Sequence, residues 1–308
     1  MNSLPSPYRE DRGIALTLVL AAIVLVSLAL AGVLRLTQHT ATESYRDAQL
    51  FDARLLAESG LALGQHPDME PTDPILHQTL ENGYQLDVTI TSEQGRILIN
   101  RIIEEDFQTG LEELFLTWGL SPEAALVATQ SLKDWVDSDD EAEAQGAEEA
   151  FYTNEGREGY PRNGSFLSLE EMLLVRGMDA VAQQNPNWRN AFTLYGNGQI
   201  DANAAEADIL QAFGGVPMTN AELFVRTRNG GDGILGTEDD ELFSGENVED
   251  GIRLLGISQE ESDELSGLFT LEGDTLRIQS VATVGTLRYT LVLVADRDTG
   301  DSIARYTP

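Results

Sequence analysis

Hydrophobic and polar positions divide this chain sharply. From Ile14 to Leu34 run 21 consecutive uncharged residues, IALTLVLAAIVLVSLALAGVL. At about 1.5 Å of rise per residue, a helix of that length crosses the roughly 30 Å hydrocarbon core of a bilayer. A helix in a soluble core is seldom apolar on every side, so the pattern predicts a transmembrane helix over residues 14–34. Beyond it, Ala41, Tyr45, Ala48, Phe51 and Leu55 recur every three or four residues. That spacing carries the helix on to about Leu63, its lower half amphipathic and covered on one face by a folded body. Arg9 and Arg12 precede the apolar run and Arg35 and Arg46 follow it, so counting positive charges does not orient it. Ala29-Leu30-Ala31 imitates a signal-peptide cleavage site, but the run is longer than the roughly 7–15 residues of such a core.

After a link rich in Pro and Asp, residues 66–74, the period changes to two. Tyr84–Thr91 and Arg96–Ile102 alternate and read as a hairpin joined by Ser92-Glu93-Gln94-Gly95. Thr275–Val284 and Thr286–Ala295 form a second β-rich pair joined at Gly285. Between the pairs lie mostly helical signals. Ser121-Pro122-Glu123 offers an N-cap, a proline at the first helical position and an early acid, and Ala125, Ala128, Leu132, Trp135 and Val136 then share a face. Ser168 and Glu171 read as a capping box with Gly177 as a C-cap, and Asn203 and Glu206 as caps of another helix. An α-rich block inserted between strands of one sheet is the economical reading; two consecutive domains are the alternative.

Charge narrows the function. The 308 residues carry 19 basic and 52 acidic side chains, a net charge of −33. Such an excess argues against nucleic acid, which needs clustered Lys and Arg, and favours hard cations as partners. There are no cysteines, which excludes disulfides, thiolate nucleophiles and iron–sulfur clusters. Only His39, His66 and His77 could supply imidazole.

The leader before the apolar run ends in Arg12-Gly13, with Ile14 opening the helix. It resembles the class III leader of type IV pilins and pseudopilins, cut by prepilin peptidase after the glycine. Most such subunits carry Glu at the fifth mature position, where this chain has Leu18; the K-type minor pseudopilin of type II secretion systems lacks it as a rule. Further blocks are similar to that family. They are Asp134-Trp135-Val136-Asp137-Ser138-Asp139-Asp140, Gly146-Ala147-Glu148, Phe151-Tyr152, then Tyr160, Asn163, Ser168, Glu171, Val175 and Gly177 in order. Gly198 to Ala205 resembles the family's G-x-[IV]-N-x-N-T-A segment, with Asp201 and Ala204 in place of its Asn and Thr.

The resemblance implies an α+β, pilin-like fold: a long N-terminal transmembrane helix packed on a small antiparallel sheet, with a large inserted α-helical domain. The expected units are a leader at 1–13, the helix at 14–65, a β head at 66–104 and 266–308, and the α-domain at 105–265. It also implies Gly13 and Ile14 as the processing site, N-methylation of Ile14, and a single-pass inner-membrane protein with a periplasmic head. Expected partners are other minor pseudopilins, the major pseudopilin and prepilin peptidase, in a subunit at the tip of the pseudopilus. No catalysis is implied. The alternatives are a membrane-anchored or secreted calcium-binding protein, released in the latter case at Ala31, and a carboxylate-based hydrolase, for which nothing selects two acids from so many.

Two acidic clusters carry the candidate chemistry. Eight of the 16 residues from Asp134 to Glu149 are acidic. Calcium takes 6–8 oxygen ligands in irregular loops, so Asp137, Asp139, Asp140 and Glu148 suit it; zinc would want His or Cys. The family's calcium sites carry over best to Asp137, Asp139 and Glu148. A second cluster holds Asp232, Asp239 and Asp240 among glycines that allow tight turns; the expectation is one or two calcium sites, with a solvated acidic surface as the alternative at each. The letters of a dinucleotide fingerprint at Gly231, Gly233 and Gly236 are spurious, since no strand precedes them and the acids would repel a pyrophosphate.

Overall fold

The computed structural model describes residues 11–308; the expected leader falls largely outside them. Helix α1, Asp11–Gly64, is continuous. Its segment Ala15–Val33 has a mean hydropathy of 2.7 and is nowhere buried, as a lipid-facing span requires. Lower down, the covered face is not the expected one. Tyr45, Ala48, Phe51 and Leu55 are exposed, and the side chain of Ala41 lies outside the described residues. The buried positions are Ala53, Ala57, Gly60, Leu61 and Gly64. Close approach is the reason. A Cβ on Gly60 would overlap Ser280 and stand 2.8 Å from Leu86, and one on Gly64 would stand 2.6 Å from Ile278. The helix lies on the sheet through small residues and Leu61, while Tyr45, Phe51 and Leu55 stay on its outer side.

A turn over Pro74–Leu76, capped by the Asp73 carboxylate, leads into β1 (His77–Thr79) and β2 (Gln85–Ser92). The expected hairpin over 84–102 does not form. Glu93–Gly95 make a buried 3₁₀ turn, and β3 (Ile97–Leu98) pairs in parallel with β4 (Phe192–Thr193) instead of returning along β2. A hairpin tip is solvated, whereas this one is tied down. The Glu93 carboxylate, 1% exposed, accepts from the Thr193 hydroxyl at 2.6 Å and from Arg277 at 3.1 Å. Gln94 accepts from the Thr275 N–H at 3.1 Å.

Between β3 and β4 run α2 (Glu105–Thr117), α3 (Pro122–Val136), α4 (Glu149–Asn154) and α5 (Met178–Gln184). After β4 come β5 (Ile200–Asp201), α6 (Ala207–Gly214), α7 (Met218–Arg228), α8 (Val248–Leu255), α9 (Gln259–Leu265) and β6 (Phe269–Thr270), which pairs in parallel with β5. Their apolar faces share one core, in which Phe107 of α2 meets Phe213 of α6 edge to face at 5.2 Å. Ser121 caps α3 through the Ala124 N–H, with Pro122 opening the helix, as its sequence predicts. Other caps differ. Ser168 accepts from the Glu171 N–H, but the Glu171 carboxylate serves Trp135 and the Leu167 N–H instead of closing the box. Gly177, at φ 87°, opens α5 rather than ending the turn before it. Glu206 is the N-cap position of α6, while Asn203 is drawn off to bond the N–H and carbonyl of Phe243.

The chain returns as β7 (Thr275–Val284), β8 (Leu287–Asp296) and β9 (Ser302–Tyr306), completing an antiparallel sheet of order β1-β2-β7-β8-β9. The β7–β8 hairpin turns at Gly285, whose φ of 61° suits glycine. Strands from both ends of the chain share this sheet, so the helices form an insertion and not a second consecutive domain. The register fixes where the insertion sits. Gln49 lies beside Gly285, and Gly64 lies against Ile278; the insertion departs after Ser92 and returns at Thr275, with Ser92 paired to Leu276. It therefore springs from the end of the sheet farthest from the span Ala15–Val33.

Candidate metal centre

The first acidic cluster lies where two helices end on one loop. Asp137 is the C-cap of α3 and Glu148 the N-cap position of α4, so the 137–148 loop brings its two ends together with Asp139 between. Asp137, Asp139 and Glu148 each offer a carboxylate oxygen within 4.8 Å of the others. Both Glu148 oxygens and Asp137 Oδ1 are buried without a hydrogen-bond partner. Glu148 is only 5% exposed. Burial, then repulsion from Asp134, Asp137, Asp140 and Asp139, pushes its carboxyl from 4.5 up to about 7. Asp137 is raised as well, by burial and by Asp139. Buried acceptors facing one another without donors are costly; a hard divalent cation held by oxygen ligands answers that arrangement, and the α3 C-terminus adds its own negative end.

Asp140 stands aside from this trio. Its Oδ1 accepts from Asn163 Nδ2 at 3.1 Å, which also donates to the Asp139 carbonyl. Asn163 holds a φ of 50°, a left-handed conformation that asparagine tolerates better than most residues. Asp134 was not among the expected ligands, and it shapes the loop from behind. It is fully buried, accepts from the Glu143 N–H at 3.2 Å, and is pushed up to about 6, chiefly by burial. A Cβ on Gly146 would overlap its carboxylate, so glycine is what lets the loop pass. Lys133 pairs with Glu143.

The support under the loop is aromatic. Trp135 stacks on Tyr160 and Phe166 at 5.3 and 6.2 Å, meets Tyr152 edge-on at 5.6 Å, and donates to Glu171 at 3.1 Å. Arg176 lies over Phe151 and donates to the Gly146 carbonyl at 2.9 Å. Residues scattered from Asp134 to Arg176 in the sequence thus converge on one feature. Arg176 was missed; no local pattern marks an arginine that reaches back 30 residues to a carbonyl.

The second cluster is built differently. Asp239 Oδ2 accepts from the N–H groups of Gly231 and Asp232 at 2.5 and 3.1 Å, and Asp240 Oδ2 from those of Gly236 and Thr237 at 2.6 and 3.2 Å. Asp232 Oδ1 accepts from the Ile234 N–H at 2.7 Å. These three carboxylates brace their own turns, and among the described residues they do not converge on a common point as the first three do. Asp240 Oδ1 alone is buried without a partner.

Residues 98–185 match the family model described as Type II secretion system (T2SS), protein K. A comparison with curated proteins found no significant match. Among solved structures, a chain of the GspK-GspI-GspJ complex from the enterotoxigenic Escherichia coli Type 2 Secretion System superposes with a TM-score of 0.60. The superposition covers 88% of this chain and 99% of that one at 17% identity, a likeness of fold. The matched segment includes the whole 137–148 loop and its aromatic support, so that over residues 98–185 the chain carries a domain similar to the type II secretion system protein K.

Proposed function

We propose that this chain is a K-type minor pseudopilin of a type II secretion system, which caps the tip of the periplasmic pseudopilus and helps to initiate its assembly for protein export. The observation that carries the reading is the place of the insertion, at the end of the sheet farthest from the membrane-spanning segment. A body of that size there obstructs a subunit stacked above and leaves the side below free. Leu18 fits the same position. In pilin-like filaments an acid at that point pairs with the N-terminus of the neighbour nearer the tip; a tip subunit has no such neighbour, and an unpaired carboxylate in lipid is costly. Cleavage after Gly13 by prepilin peptidase leaves Ile14 as the methylated N-terminus, α1 anchors the subunit in the inner membrane, and the head stands in the periplasm as a structural, non-catalytic part. Its partners are other minor pseudopilins and the major pseudopilin, as the GspK chain is found with GspI and GspJ. Calcium is the cation for Asp137, Asp139 and Glu148, an oxygen-only set on an irregular loop; there it neutralises repelling carboxylates and stiffens the α-domain.

Sequencing the mature N-terminus tests the root of this reading. Ile14 is expected, with Gly13→Leu trapping the precursor; a start at Gly32 would mean a released secreted protein. Crosslinking then tests position. A single copy at one end of the filament is expected, and repeated stacking along its length refutes capping.

A further inference from the structure

The loop that holds the three carboxylates is gripped from outside by Arg176, which lies between the 3₁₀ turn Leu169–Leu174 and α5. Its Nη1 donates to the Gly146 carbonyl at 2.9 Å and to the Gln145 carbonyl at 3.3 Å. The guanidinium also lies over the Phe151 ring at 4.7 Å, and the Arg176 backbone N–H donates to the Tyr152 hydroxyl at 3.3 Å. One residue therefore touches the chain on both sides of Glu148, at 145–146 before it and at 151–152 after it. The grip has a fixed base. At Gly177, the next residue, the backbone is so close to α3 that a Cβ would stand 3.0 Å from Ala128 Cα, and α3 is the helix that ends in Asp137. The loop is tied to that helix as well, since the Gln145 N–H donates to Gln130 Oε1 at 2.7 Å.

Where these bonds go separates Arg176 from an ordinary counter-ion. The guanidinium bonds carbonyls and covers a ring, and it leaves both Glu148 oxygens buried without a hydrogen-bond partner. A loop free to swing has to be ordered when its ligand arrives, whereas one already held in place avoids that loss. We propose that Arg176 is a positioning residue for the cation: it locks the joint between residues 143–148 and α4, so that Glu148 faces Asp137 and Asp139 before the ion arrives. Groups one layer behind a metal's ligands act in this way, and removing them weakens binding about 10–100-fold. Lysine is a poor substitute. A planar guanidinium stacks on Phe151 while its N–H groups bond the carbonyls, and an ammonium is a point charge on a flexible stem. The inference rests on the reading of this loop as a calcium site.

The test is calcium titration calorimetry on the full chain in phosphatidylcholine nanodiscs. Arg176→Met keeps an unbranched stem and removes the donors; affinity should fall about tenfold or more, and less for Arg176→Lys. A double-substitution cycle separates positioning from general support. In a Glu148→Gln background Arg176→Met should cost little more, since the carboxylate it positions is gone, while in an Asp139→Asn background it should keep its full cost. Equal cost in both backgrounds would mean that Arg176 supports the domain as a whole, and would overturn the proposal. Hydrogen exchange of the metal-free protein reads the same grip without calcium. Amides of residues 143–148 should exchange faster in Arg176→Met, with β7 and β8 unchanged; unaltered exchange there would show the loop to be held without Arg176. Wild-type protein that takes up no calcium would remove the calcium reading and this inference with it, whereas equal calcium binding by wild type and Arg176→Met would remove this inference alone.

Discussion

The loops at 134–149 and 232–246 look alike in sequence, and only the first brings three carboxylates together. Both are dense in acids and punctuated by glycine. In the second, carboxylates bond the N–H groups of their own turns; a hydroxyl bond from Thr237, followed by N–H bonds from Asp232 and Gly231, holds Asp239 below its ordinary value, while burial raises Asp240, the one acid there with an unpartnered oxygen. In the first, Glu148 and Asp137 face other carboxylates with buried, unpartnered oxygens, and both are pushed up. Acid density therefore does not make a cation site. What the oxygens point at does: an acid supplied with N–H donors is stable as an anion alone, whereas one aimed at its neighbours needs a proton or a metal.

The sharpest way to break that contrast is calcium itself. At a free concentration 100 times its dissociation constant, one bound ion adds about 2.7 kcal/mol, which in a domain of this size raises Tm by roughly 5–10 °C. Calorimetry of the protein in calcium and in chelator should show that gap, with magnesium, which is smaller and stricter in geometry, closing less of it. Asp137→Ala with Asp139→Ala should abolish the gap, and Asp232→Asn with Asp239→Asn should leave it intact. Identical melting in calcium and chelator would make the first loop a solvated acidic surface like the second.

Protons should compete for the same oxygens. Because Glu148 and Asp134 are raised to about 7 and about 6 in the fold, from 4.5 and 3.8, these two groups bind protons more tightly in the metal-free fold than in the unfolded chain. Their contribution to stability then falls as pH rises from about 4 to about 7, and levels off above. With calcium the decline should be offset, so the calcium-induced rise in Tm should be large at pH 7.5 and nearly gone at pH 5. A calcium response independent of pH over that range would remove Glu148 from the ligand set.

How much of this was legible beforehand depends on which physics decided each element. The continuous helix to Gly64, the β7–β8 hairpin at Gly285 and the Ser121 cap followed from local signals, because each is settled by neighbours in the chain. That Asp137, Asp139 and Glu148 lie together was legible from the chemistry of the loop and from the family resemblance. The failures were tertiary. Phe51 and Leu55 have the spacing of a core face, yet Gly60 and Gly64 decide which side of α1 can approach the sheet, and no periodicity of bulky residues reveals that. Ser92–Gly95 has turn chemistry, but Glu93 is claimed by Thr193 and Arg277, partners 100 and 184 residues away. Asn163 holds Asp140, and local N–H groups hold the acids of the second loop, contacts that acid spacing alone does not reveal.

A smaller effect should come from Gly146→Ala. The added methyl would overlap the Asp134 carboxylate, which is buried and cannot retreat into water. Overpacking of this kind costs about 1–3 kcal/mol. Since Glu148 is two residues on, calcium affinity by titration calorimetry should fall as well. An alanine variant with unchanged Tm and affinity would show the loop to be looser than its packing implies.

The smallest expected effect isolates what the second loop's acids do. If Asp239 acts as an acceptor for the N–H groups of Gly231 and Asp232, its charge is secondary and its oxygen essential. Asp239→Asn keeps an oxygen there and should barely move Tm, whereas Asp239→Ala leaves both donors to water and should lower Tm slightly. The same fall should appear with and without calcium, because neither donor belongs to the first loop. If the two variants differ only when calcium is present, the second loop binds the ion too, and the contrast between the two clusters is one of affinity rather than of kind.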